Sequence, residues 1–141
     1  MGREKLVERN DVAVLFRRST DDQAGITAAW AAVETAIGSL KGRKFYGAYD
    51  PATHEYRVCV KRRDGDDAQA LGLEEGTLPG GRYARLRLEG EPPAVYAEIR
   101  PGFGRLLEHH AADGDPARPS IEYYRRRDVI DLLLPIADPA R

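Results

Sequence analysis

The sequence predicts an α+β domain made of two strand–helix–strand–strand units, with a mainly antiparallel sheet and both helices on one side. Three observations carry that expectation. Short runs rich in β-branched and aromatic residues recur along the chain, several of them alternating apolar with polar residues. Two longer stretches have helical character. The order strand, helix, strand, strand then occurs twice, as a repeat of pattern and not of letters. Such a pseudo-two-fold arrangement leaves a cleft between its helices, and clefts of this kind take small ligands.

The elements follow in order. Asp11–Arg18, "DVAVLFRR", reads as the first strand, and "STDDQAG" as a polar turn. From Ile26 to Leu40, the residues Ile26, Trp30, Val33 and Ile37 recur at i, i+4, i+7 and i+11, one face of an amphipathic helix. Gly42 in "KGRK" is the expected stop. "FYGAYD" and "YRVCVKR" are strands joined by a turn that opens at Asp50-Pro51. In the second of them Tyr56, Val58 and Val60 alternate with Arg57, Cys59 and Lys61. "RDGDDAQALGLEEGTLPGG" is a long connector with a short helical turn.

The pattern then restarts. "RYARLRLEG" sets Ala84, Leu86 and Leu88 against Tyr83, Arg85 and Arg87. "PPAVYAEIRPGFGRLLEHH" reads as helical with a break at Pro101-Gly102. After the loop "AADGDPARP", the strands "SIEYYRR" and "VIDLLLPI" close the chain, the latter with Ile130, Leu132 and Leu134 on one face and Asp131 and Leu133 on the other.

A chain of 141 residues fits one domain, expected over 11–137, with short tails at 1–10 and 138–141. Hydrophobic residues make up 42% and charged residues 32%, as in ordinary globular proteins. The 22 basic and 23 acidic residues nearly cancel, which argues against direct nucleic-acid binding and against attraction to a membrane surface. No apolar run approaches the ~20 residues of a membrane span, and "MGREKLVERN" is no signal peptide. Cys59 is the only cysteine, so an internal disulfide is excluded and a cytoplasmic location fits. With no histidine adjacent to it, that thiol is expected to be structural.

Signatures of phosphate loops, nucleophile elbows and zinc sites are absent, and neither a metal nor a cofactor is expected. Adjacent helical residues point ~100° apart, so His109 and His110 suit the end of a helix better than one ion. The run Arg125–Arg127, with Arg82, Arg85 and Arg87, reads as a solvated face more than a phosphate patch. The aromatics Trp30, Tyr46, Tyr49, Tyr96 and Tyr124 are core by default, but around a carboxylate they would also suit a cavity for flat or cationic molecules. Glu122 is that carboxylate. It shares a strand face with Tyr124, between Ile121 and two tyrosines. Local chemistry leaves two readings level: a surface acid, solvent-facing or paired with an arginine such as Arg82, and a buried anchor or general acid/base.

The repeated order, with "LPGGRYARLRLEG", "RPSIEYY" and "IDLLLPI", resembles the GyrI-like small-molecule-binding domain, the effector-binding domain of AraC- and MerR-type multidrug regulators. The resemblance runs from about Val12 to Ile136. It implies that Glu122, in the context of Pro119 and Tyr124, lies in a central pocket lined by aromatics such as Trp30, Tyr46 and Tyr49. It also implies ligands that are lipophilic and often cationic. No helix-turn-helix fits into the short segment before the first strand, so a stand-alone binding protein is expected and not a direct transcription factor. The second helix lacks the tryptophan often found near its end, where Leu106 and Leu107 stand.

The leading expectation is therefore a binder of hydrophobic, including cationic, small molecules. Glu122 would be its anchor and Trp30, Tyr46, Tyr49, Tyr96 and Tyr124 its walls. The first alternative is a hydrolase that adds water to cyclopropane-type electrophiles, as some stand-alone family members do. Glu122 would then be catalytic and Glu34 or Glu98 a second acid. The last alternative is a protein-interaction module such as a gyrase inhibitor.

Overall fold

A computed structural model describes residues 4–138; the outermost residues of both expected tails, 1–3 and 139–141, lie outside the described residues. In chain order the elements are β1 (Glu4–Arg9), β2 (Val12–Thr20), α1 (Gln23–Ile37), β3 (Phe45–Asp50) and β4 (Glu55–Lys61). Then come α2 (Ala68–Leu71), β5 (Glu74–Leu78), β6 (Gly81–Glu89), a 3-10 helix (Ala94–Glu98), α3 (Ile99–His109), β7 (Ser120–Arg126) and β8 (Val129–Pro135). The strands form one sheet in the order β1-β6-β8-β7-β3-β4-β2-β5, with every neighbouring pair antiparallel.

The expected α+β architecture of two strand–helix–strand–strand units is present: β2-α1-β3-β4 and β6-α3-β7-β8. Their sheets join where β3 pairs with β7, so the pseudo-two-fold axis runs between Gly47 and Glu122, which face each other. The helices correspond too. Val33 in α1 and Leu106 in α3 are both fully buried, each as the inward knob of its half.

Two strands were not anticipated. The stretch 1–10, expected as a tail, contains β1, and the connector after β4 contains β5 as well as the anticipated helical turn α2. One register runs through both. Glu4 faces Leu86 and Arg9 faces Gly81; beyond the bends, Val12 faces Leu78 and Phe16 faces Glu74. Glu4–Thr20 and Glu74–Glu89 are thus two long ribbons lying along each other, each bent once. At the bends the Gly80 N–H donates to Asp11 Oδ1 at 2.6 Å, and a Cβ on Gly80 would stand 2.5 Å from the Arg9 carbonyl oxygen. Since β1 begins the sheet order and β5 ends it, this contact draws the two ends of the sheet together.

The curl explains why both faces of the sheet are buried. On one face Val14, Phe16, Tyr46, Cys59, Tyr83, Ile121 and Leu133 pack on one another, covered by the sheet itself. Cys59 belongs to this core, where burial pushes its thiol up to about 12, so it stays protonated. On the other face α1 covers Leu15, Val58 and Val60, while α3 covers Leu86, Ile130 and Leu132.

Helix boundaries moved for local reasons. Asp22 caps α1 through the Gly25 N–H at 2.7 Å, and Gly38, at φ 77°, stops it four residues before Gly42. Pro101-Gly102 does not break α3. Pro101 lies in the first turn, where its missing N–H costs no hydrogen bond, and the change of helix type falls instead at Glu98/Ile99. Gly102 lets the helix approach the sheet closely: a Cβ there would stand 2.5 Å from Leu132 Cδ1.

Candidate functional site

α1 packs on β2 and β4, and α3 on β6 and β8. The central pair β3 and β7 therefore lies between the helices with only partial cover, and Phe45, Tyr49, Glu122 and Tyr124 remain partly exposed there. Glu122 sits in the middle, between Gly47 on β3 and Leu132 on β8.

Its carboxylate is held from one side. Oε1 accepts hydrogen bonds from the Tyr124 hydroxyl at 2.5 Å and the Tyr56 hydroxyl at 2.8 Å. Tyr124 is two residues along the same face. Tyr56 comes from β4 and reaches Glu122 across β3, through the space that Gly47 leaves. A Cβ on Gly47 would lie 2.0 Å from the Tyr56 hydroxyl oxygen and 2.7 Å from Glu122 Oε1. Glycine is required here for its lack of a side chain. No hydrogen bond from the described residues reaches Oε2.

Burial raises the Glu122 pKa, against the two tyrosine hydrogen bonds, which favour the anion; the charge of Asp21 adds to the rise. Both tyrosines are held far above their usual range, first by burial and then by the negative charge of Glu122. They remain protonated donors. The site is thus a carboxylate whose protonation is easier than usual, beside two hydroxyls that do not ionise at physiological pH.

Trp30 closes one wall. Its ring stands edge-on to Tyr124 at 5.0 Å between centroids and tilts against Phe45 at 5.9 Å. Of the expected residues, the structure brings together Glu122, Trp30 and Tyr124. Tyr49 shares the face of Gly47, but its hydroxyl is engaged by His54 Nδ1 at 2.8 Å. Tyr46 does not join them. The two-residue period of the strand turns it to the opposite face, where it is 3% exposed and stacks on Tyr123 at 4.8 Å. Tyr96 is also elsewhere, 47% exposed in the 3-10 helix ahead of α3.

The remaining candidates fall outside the site. Glu34 and Glu98 are exposed. Arg82 does not take Glu122, whose oxygen the tyrosines occupy. His109 and His110 meet Glu4, and His110 also meets Asp113. The arginine run is not wholly solvated: Arg125 approaches Asp131 at 3.6 Å, and Arg87 grips the same buried carboxylate at 2.7 and 3.1 Å. Sequence reasoning missed Tyr56, Gly47 and Phe45. The alternation Tyr56, Val58, Val60 placed Tyr56 on the right face, but its partner lies two strands away.

Chemically, one carboxylate oxygen is fixed by two donors while the other is left for a guest, beside ring faces that attract cations and apolar groups. No family model matches the chain, and no curated protein sequence matches it. Solved structures do. An integron cassette protein, VCH_CASS2, from the mobile metagenome of Vibrio cholerae is similar, with a TM-score of 0.72 at 18% identity over 96% of each chain. SAV2435, solved bound to tetraphenylphosphonium, has a TM-score of 0.69 at 12% identity over 95% of this chain and 93% of its own. The EcmrR C-terminal domain has a TM-score of 0.68 at 10% identity over 99% of each chain. With the strand order and the paired helices, these likenesses give the chain the fold of the GyrI-like domain that its sequence resembles.

Proposed function

We propose that the chain binds hydrophobic organic cations in the cleft between α1 and α3, with Glu122 as the charged anchor and Trp30, Phe45 and Tyr124 as the aromatic wall. The observation that carries this is the half-satisfied carboxylate: two tyrosines hold Oε1, and Oε2 meets no protein donor among the described residues. A partly buried anion with a free oxygen gains most from a cation that brings its own apolar cover. A tetraphenylphosphonium-bound protein of the same fold supports the ligand class.

Trp30 is the only tryptophan, so its fluorescence reports on the cleft directly. Titration with tetraphenylphosphonium should quench it saturably. Glu122→Gln should weaken that binding by about 1–3 kcal/mol, the Coulomb attraction of unit charges roughly 6 Å apart at an effective dielectric constant of about 20–40, while a neutral tetraphenyl analogue binds both forms alike. Equal affinity of the two forms for the cation would end the assignment.

Water addition to a strained, electrophilic ring is favoured by a different feature, the raised pKa of the same carboxyl, which suits it to proton transfer. A product heavier by one water, formed by the native chain and not by Glu122→Gln, would establish that activity. Its absence for substrates that bind would leave the site a binding site.

A further inference from the structure

One end of the sheet gathers positive charge that the cleft does not use. Because β3 pairs with β4, the runs Lys41–Lys44 and Lys61–Arg63 come side by side, with the Lys61 N–H donating to the Lys44 carbonyl at 2.8 Å. Between them lies a cavity of about 180 Å³ lined by Gly42, Arg43, Lys44, Lys61, Arg62 and Arg63. Every lining residue except the glycine is cationic.

Of the nearby acids, Asp66 and Glu75 meet these arginines, while Asp64 and Asp67 follow Arg63 in the turn. Asp66 is fully engaged: Arg43 grips it at 2.7 and 2.8 Å, and the Arg63 N–H donates to it at 2.8 Å. Arg62 reaches only the exposed Glu75, at 3.5 Å. Lys44 and Lys61 have no ion-pair partner among the described residues, although Lys44, just before β3, lies across from Lys61 at the end of β4, where like charges repel. Arg63 donates to the Lys41 carbonyl at 2.9 Å and occupies the place of a Cβ on Gly42, so the wall is built and not fluid. β7 adds to the field. Tyr124 pairs with Phe45, so Arg125–Arg127 continue past Lys44 at the same end.

We propose that this pocket binds a compact phosphate-class anion, one carrying one or two phosphoryl groups, with Lys44 and Lys61 as its ammonium donors and Arg62 and Arg63 at its rim. Guanidinium and ammonium side chains lining a small cavity suit phosphate oxygens in charge and in hydrogen-bonding capacity. The volume is that of about six liquid waters at roughly 30 Å³ each, which suits a diphosphate better than a polymer segment. The near-neutral chain, at −1 overall, also lacks the field that recruits a polyanion.

The test is titration of the full chain with inorganic pyrophosphate at physiological salt, followed by amide shifts in two-dimensional NMR. Saturable shifts at Gly42, Lys44 and Arg63 are expected, with affinity lowered about tenfold or more in Lys44→Ala/Lys61→Ala, since each substitution removes a charge-assisted contact. Glu122→Gln should bind pyrophosphate like the native chain, which separates this site from the cleft. Non-saturating shifts, or native affinity in the double variant, would overturn the proposal. So would a single-stranded oligonucleotide that binds these residues more tightly than pyrophosphate, because the surface would then serve a polyanion.

Discussion

Glu122 and Gly47 face each other across the centre of the sheet, and the space of the one is the condition for the hydrogen bonds of the other. Gly47→Ala places a methyl group on the Tyr56 hydroxyl. Tyr56 is 4% exposed and has little room to retreat, so its bond to Glu122 breaks. Overpacking of this kind costs about 1–3 kcal/mol, and the lost hydrogen bond leaves the carboxylate less well held. A lowered melting temperature together with weaker quenching of Trp30 by tetraphenylphosphonium is expected. Tyr56→Phe removes the same hydrogen bond without crowding, so it should lower cation affinity while disturbing the sheet less. If Gly47→Ala melts like the native chain, the crowding has been absorbed and Tyr56 does not hold Glu122 as described.

At the scale of elements, α3 contains two glycines with opposite expectations. A helix interior favours Ala over Gly by about 0.5–1 kcal/mol. A methyl group on Gly104 would meet nothing within 4 Å, so Gly104→Ala should raise stability by about that amount. A methyl group on Gly102 would meet Leu132 Cδ1 at 2.5 Å and Leu86 Cδ2 at 3.3 Å; there, crowding outweighs propensity, and Gly102→Ala should cost about 1–3 kcal/mol. Chemical denaturation of the two variants checks both signs at once. The elements differ in the same way in how far the sequence reveals them. β6 alternates because Ala84, Leu86 and Leu88 are buried while Arg85 and Arg87 stay partly exposed, β8 reads as an apolar run because every one of its residues is buried, and α1 carries Ile26, Trp30, Val33 and Ile37 on its inward face. β1 and β5 are strands only through their partners. "EKLVER" keeps no fully buried side chain and "EEGTL" buries only Leu78, so neither leaves a periodic trace. Pro101 looked like a break because a proline's effect depends on its distance from the helix start, which the 3-10 helix ahead of α3 concealed.

Across the whole molecule, the site was legible as far as one strand face reaches: Glu122 and Tyr124 follow from the two-residue period. Tyr56 does not, since it arrives through the long-range pairing of β3 with both β4 and β7. Tyr46 was misplaced because a two-sided core makes both faces of β3 apolar, and hydrophobicity then cannot tell the cleft face from the curl. That buried setting has a measurable consequence in acid. Several carboxylates, Asp66 foremost, have lowered pKa values because arginines or backbone N–H groups hold them, so their stabilisation is present above the unfolded value and is lost as pH falls through the folded one. For Asp66, held down to about 2 by Arg43, that loss comes only in strong acid. Glu122 has the opposite sign. Its raised value means that the folded state binds its proton more readily than the unfolded chain, so its unfavourable contribution is complete above the folded value and disappears as pH falls below the unfolded value of about 4.3. Glu122→Gln keeps an acceptor for Tyr56 and Tyr124 without the buried charge. It should therefore melt higher than the native chain at pH 7, with the gap closing toward about pH 4. The native chain should lose affinity for tetraphenylphosphonium as pH falls through the folded value and the anchor takes up its proton. Thermal melts of both forms from neutral to acid pH, with cation titrations alongside, measure the two effects together. A gap that does not change with pH would show that Glu122 is not a strained anion, and would remove the electrostatic basis for its role as anchor.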